Sequence, residues 1–256
     1  MKPVAFLQHD PTQRPGFLMD YLHEIGVATR VFFPENDADF PRRASEFSGI
    51  VLLGSNHSVN DPLRWVGEEM KLVRHALDTH VPVLGHGFGA QLLAKALGAT
   101  VCRNACPSIG WARMNATVAG QRLLRRKEVV AFNWHYETFS MPARAQRLLF
   151  SEHCMNKGFS LGPHVAFQCH FEITEAVVRE WCARSAHELP RTAGPSVQTG
   201  EQILAQLPSL LPEVRRTART VYASWAAGLG RSKAVAVPFR SHRPATGSRD
   251  WPLGIQ

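Results

Sequence analysis

The stretch "VPVLGHGFGAQLLAKALGA", Val81 to Ala99, decides the reading of the fold. An apolar run ends at Gly85, a Gly85-His86-Gly87-Phe88-Gly89 turn follows, and a helix-forming segment comes next. That is a strand turning sharply into a helix. In α/β enzymes such a turn often presents a nucleophile at the centre of a G-x-nucleophile-x-G pattern. Here the centre is Gly87, which carries no side chain.

Upstream, Val4 to Gln8 reads as a first buried strand. Gly16 to Gly26 has apolar residues at helical spacing and a closing glycine. Val27 to Phe33 reads as a second strand. Gly49 to Gly54 is an apolar run of the kind buried on both faces of a sheet. Asp61 to His80 reads as a helix with Asp61 as N-cap and Pro62 at its first position. Downstream, Ser108–Val118, Val129–Met141, Arg147–His153 and His164–Glu172 are short β-rich runs. Glu172 to Leu189 reads as a helix, and 200–230 as two helices broken near Pro208 and Pro212. Alternating strands and helices predict an α/β three-layer sandwich around a mainly parallel central sheet. Ligands of such sheets sit beyond the C-terminal ends of strands. The two ends that stand out are Gly54–Ser58 and Gly85–Gly89.

Composition narrows the function classes. The chain has 256 residues, 45% hydrophobic and 20% charged, as expected of a globular protein with a sizeable core. No apolar run reaches the roughly 18–20 residues of a membrane span. Five cysteines without a C-x-x-C pair argue against a disulfide framework or a zinc site and predict reduced thiols in the cytoplasm. The formal charge is +8, and residues 231–256 alone hold five basic residues against one acid. A nucleic-acid binder would carry a basic stripe with aromatics on a folded face. Without one, no nucleic acid and no membrane are expected as partners. The expected organisation is one domain over 1–230, helical from about 172, and a flexible basic tail over 231–256.

Several pieces, in a fixed order, resemble one family. "IVLLGSNHSVNDP" (Ile50–Pro62), "PVLGHGFGAQLLAKALGA", "SIGW" (Ser108–Trp111), "FNWHYETFSMP" (Phe132–Pro142) and "VAFQCHFEIT" (Val165–Thr174) are similar to the motifs of class I glutamine amidotransferases. The kind resembled is the stand-alone amidotransferase similar to that of GMP synthase, and the likeness covers about Val4 to Gly230. It implies a flavodoxin-like fold and neither metal nor cofactor. It also implies a chemistry in which an elbow Cys attacks the glutamine amide, a His moves the protons and a Glu orients the His. Carried over, the base matches His170, the orienter Glu172 and the nucleophile position Gly87. Oxyanion donors match the main chain near Phe88 and near Gly54 and Ser55, and Gln91 matches a substrate-side Gln. His135, in His135-Tyr136-Glu137, reads as a histidine at the pocket rim.

Three departures qualify the resemblance. Gly87 cannot form a thiolate, His86 stands where the family has a small apolar residue, and Gly54-Ser55-Asn56 replaces Gly-Gly-Pro. Cys169 precedes His170 on a β-run, so it faces the core and reads as inert. Three functions follow as expectations: a pseudoenzyme with a glutamine-like pocket, an amide or γ-glutamyl hydrolase using water activated by His170 and Glu172, or a purely structural subunit. The chain shows no ATP-binding motif, so an amination needs a separate synthase chain. The apolar faces after Glu172 suit either core or a homodimer surface.

Overall fold

A computed structural model describes residues 1–35, 40–187, 189–190 and 193–230. The expected tail, 231–256, lies outside the described residues. Among the described residues nine strands form one sheet in the order β2-β1-β3-β4-β9-β8-β7-β5-β6. The parallel half holds β1 (Val4–Leu7), β2 (Thr29–Phe32), β3 (Gly49–Leu52), β4 (Val83–His86) and β9 (His164–Phe167). The antiparallel half adds β8 (Cys154–Leu161), β7 (Gln146–Ser151), β5 (Val101–Ala116) and β6 (Glu128–Phe139). The helices are α1 (Gly16–Glu24), α2 (Arg64–Asp78), α3 (Phe88–Ala96), α4 (Val118–Leu124), α5 (Glu175–Arg184) and α6 (Gly200–Ala226).

The unbroken apolar runs of the central strands have a direct cause. Side chains alternate between the two faces of a strand. Val4, Phe6, Val51 and Leu84 enter a core shared with α1, α4, α5 and α6. Ala5, Leu7, Ile50, Leu52 and Val83 enter a second core, shared with α2 and α3. Both faces are covered, so neither can be polar, and the fold is the expected layered α/β arrangement.

Three local readings need correction, and two elements were not read. The helix expected from Asp61 starts at Arg64, after Leu63, which makes no side-chain cap. Asp61 instead accepts a hydrogen bond from the Ser58 N–H (2.9 Å) and closes the preceding loop. The helix expected from Glu172 starts at Glu175, capped by Thr174, which leaves Glu172 in the loop before it. Strand β8 and helix α4 have no counterpart in the sequence reading. The two helices expected after residue 200 are one, with Pro208 and Pro212 inside it. Both prolines are exposed, so water can satisfy the carbonyls they release. The opposite face buries Leu207, Leu211, Val214, Ala218, Val221 and Tyr222. Burial at about 1.5–3 kcal/mol per large side chain outweighs about 3 kcal/mol per internal proline.

Candidate active site

The site forms where the parallel half of the sheet meets its extension. Strand β4 ends at His86, and the chain enters α3 through Gly87, at φ 54° and ψ −116°. A residue with a side chain is strained in that conformation. Gly89 allows α3 to lie close on β3, since a Cβ there would fall 2.2 Å from the Leu52 carbonyl oxygen. At the start of α3 the Phe88 N–H has no intrahelical acceptor, as in every helix.

Strand β9 runs beside β4, with Phe167 opposite His86. Beyond its end, the His170 N–H donates to the Phe132 carbonyl on β6 (2.8 Å) and fixes that segment across the cleft. His170 Nδ1–H donates to Glu172 Oε1 (2.6 Å), and the ring packs edge-on against Trp181, centroids 5.1 Å apart. The opposite nitrogen, Nε2, faces Gly87 at 3.1 Å from where a Cβ would stand.

Glu172 is held from both sides. Its carbonyl accepts the Phe17 N–H (2.9 Å) at the start of α1. Its Oε2 lies 3.3 Å from His86 Nδ1, whose proton is donated to the Cys169 carbonyl at 3.1 Å. On the far side of that ring, the Tyr222 hydroxyl stands 3.5 Å from Nε2. Burial lowers the His86 pKa by more than the Glu172 charge raises it. Burial also works to raise the Glu172 pKa, but His86 and His170 together outweigh it and hold the carboxyl below its ordinary value. The outcome is an ionised carboxylate between two imidazoles, one fully buried and one facing a cavity.

That cavity is about 500 Å³, with Gly54, Ser55, Gly87, Gln91, His170 and Trp181 among its walls. Neither His86 nor Phe88 plugs it. His86 lies behind the wall, and the Phe88 ring packs on Trp65 and His9. On the cavity wall, Gln91 Nε2–H donates to Gln168 Oε1 (3.3 Å). Gln168 Nε2 has no hydrogen-bond partner among the described residues.

His135 does line the cavity, but both its ring nitrogens are engaged. Nδ1–H donates to the Glu137 carbonyl (2.9 Å), and Nε2 accepts from the Lys157 ammonium (2.7 Å). Lys157 is fully buried, and it also donates to Ser108 Oγ (2.9 Å) and Asn133 Oδ1 (2.7 Å). Burial, reinforced by the Lys157 charge, pushes the His135 pKa well down. Cys169 is fully buried, and burial pushes its thiol up to about 12. All five cysteines are free, with Cys102 exposed and Cys106 half-buried. Among the described residues no three or more His, Cys, Asp or Glu are grouped to hold a metal ion, and no helix is long and apolar enough to cross a membrane.

Residues 16–179 match the family model for class-I glutamine amidotransferases. The chain belongs to that family. A glutamine amidotransferase from Methylobacillus flagellatus is 36% identical and superposes with a TM-score of 0.86, over 90% of this chain and 96% of that one. The glutamine amidotransferase-like protein YfeJ of Salmonella typhimurium is 28% identical over 207 residues, which is 75% of this chain and 84% of that protein. A GMP synthase subunit from Thermoplasma acidophilum matches with a TM-score of 0.56 at 19% identity, over 89% of this chain and 97% of that one, a likeness of fold alone.

Within this amidotransferase fold, the residues singled out from the sequence converge: Gly54, Ser55, Gly87, Phe88, Gln91, His135 and His170 all line one cavity. Glu172 stands directly behind His170. Other contributors were missed. Trp181 reads as a packing residue in an apolar helix pattern, yet it forms a wall and its Nε1–H donates to the Thr12 carbonyl (3.1 Å). Lys157 and Glu69, both fully buried, were not singled out, because a single charged residue in a sequence gives no sign of burial. His9 follows a strand in a polar loop, and only its contacts reveal its place.

Proposed function

We propose that the protein is an amidotransferase-like binding subunit that has lost glutamine hydrolysis and keeps a pocket for glutamine or a related small molecule. The observation that carries this reading is Gly87 itself. It occupies the turn where the family pattern has its nucleophile, and it offers no atom that could attack an amide. His170 and Glu172 stay paired at 2.6 Å, the arrangement of a base and its orienter, but no thiol is there to deprotonate. The open cavity supports a retained ligand site and argues against a purely structural role. A separate synthase chain would be the partner whose amination such a subunit serves or regulates.

The intact dyad favours one second reading. His170 Nε2 could take a proton from water, whose oxygen then attacks a γ-glutamyl or amide carbonyl more labile than that of glutamine. The carbon–nitrogen bond breaks as the proton passes to the departing nitrogen.

Ammonia release from L-glutamine, measured side by side for the native protein and Gly87→Cys with calorimetric titration of L-glutamine into each, tests the first reading, and p-nitroaniline release from a γ-glutamyl anilide by the native protein tests the second. A silent native protein that binds glutamine, with an active variant, is the expected result. Ammonia release by the native protein would overturn the main reading, and anilide cleavage by the native protein would favour the second. Silence with no binding in either would remove glutamine as the ligand.

A further inference from the structure

Behind the wall formed by Gly54 and Ser55 lies a second histidine–carboxylate pair. His9 follows β1, Glu69 lies on α2, and both side chains are fully shielded from solvent. His9 Nε2 is 2.9 and 3.0 Å from the two Glu69 oxygens. Its Nδ1 is 3.0 Å from the Gly54 carbonyl oxygen. A carbonyl oxygen can only accept, so Nδ1 carries a proton and donates it. Trp65 stacks on the ring at 5.3 Å, and Phe88 packs against it at 4.8 Å. The ring is held in place, and it is not part of the cavity wall.

A trans peptide is planar, with its C=O and N–H pointing in opposite directions. Holding the Gly54 carbonyl on His9 therefore turns the Ser55 N–H the other way, towards the cavity that Gly54, Ser55 and Gly87 line. The same ring supports Phe88, the first residue of α3. Packing alone gives no reason to place His and Glu here. Replacing both partners of a buried hydrogen-bonded pair by apolar groups of the same shape can be nearly neutral or stabilising. An apolar pair would hold Phe88 equally well but would not hold a carbonyl.

We propose that His9, oriented by Glu69, is a positioning residue that aims the Ser55 N–H into the cavity, where it grips a carbonyl or carboxylate oxygen of the bound ligand. The ligand half rests on the reading that the cavity binds a glutamine-like molecule. The orientation of the peptide does not.

The test compares crystal structures, melting temperatures and L-glutamine affinity of the native protein with two double variants, His9→Phe/Glu69→Leu and His9→Leu/Glu69→Met. The first keeps a ring between Trp65 and Phe88, and the second provides a folded sample should the first not fold. The expected variant melts at or above the native temperature, has a rotated Gly54–Ser55 peptide, and binds L-glutamine about tenfold more weakly, the factor one lost hydrogen bond gives. His9→Gln retains a donor for the Gly54 carbonyl and restores peptide and affinity. A double variant with the native peptide orientation overturns the inference. A native protein that does not bind L-glutamine overturns the ligand reading alone, since peptide rotation still decides the role of His9.

Discussion

His170 stands against the place where a side chain on Gly87 would begin: its Cε1 lies 2.9 Å, and its Nε2 3.1 Å, from an ideal Cβ at that position. The ring is fastened to Glu172 and packed on Trp181, so it does not yield freely. Gly87 also sits at positive φ. Gly87→Ala and Gly87→Cys are each expected to lower stability by about 1–3 kcal/mol. Denaturant unfolding checks this, and an unchanged midpoint for both variants would show that the turn tolerates a side chain.

His86 predicts the behaviour of Glu172. In His86→Leu the carboxylate loses the imidazole 3.3 Å from Oε2, a buried oxygen with no hydrogen-bond partner among the described residues. The Glu172 pKa is expected to rise from its lowered native position. Carboxyl carbon NMR titration of both proteins follows this directly, and an identical titration would exclude electrostatic support from His86.

His164 makes folding sensitive to acid. Burial lowers its pKa from 6.5 to about 4, so between those values the unfolded chain binds a proton that the native protein refuses. Its contribution to stability is complete above pH 6.5 and is lost as pH falls towards 4, at up to about 1.4 kcal/mol per unit. His86 and His135 act with the same sign. His164→Leu should flatten the pH dependence of unfolding in this window, and an unaltered slope would show that His164 titrates normally.

Pro208 and Pro212 interrupt the hydrogen-bond ladder of α6 on its exposed face. Pro208→Ala is expected to stabilise the protein by about 1–2 kcal/mol, the gain in the helix less the lost rigidity of the unfolded chain. A lower melting temperature would mean that the proline packs usefully where it is.

The central strands were legible because burial on both faces leaves no room for polar residues, as the runs at Val4–Leu7 and Gly49–Leu52 show. The Gly85–Gly89 turn was legible because close packing and positive φ both demand glycine. Asp61 failed as a cap because loop closure competed for the same carboxylate. The prolines misled because propensity is local, whereas the face of α6 opposite them is buried by tertiary packing. His9, Glu69 and Lys157 were invisible as site residues for a related reason: each owes its role to partners far away in the chain.

The pairing of β4 with β9 joins strands about 80 positions apart. Gly87 leaves one of them and His170 follows the other. During synthesis the turn at Gly87 emerges long before the strand that completes its surroundings, and so long a closure is slow to form. The cleft therefore cannot exist until these two distant stretches of chain have paired, so it depends on a long-range contact and not on either segment alone.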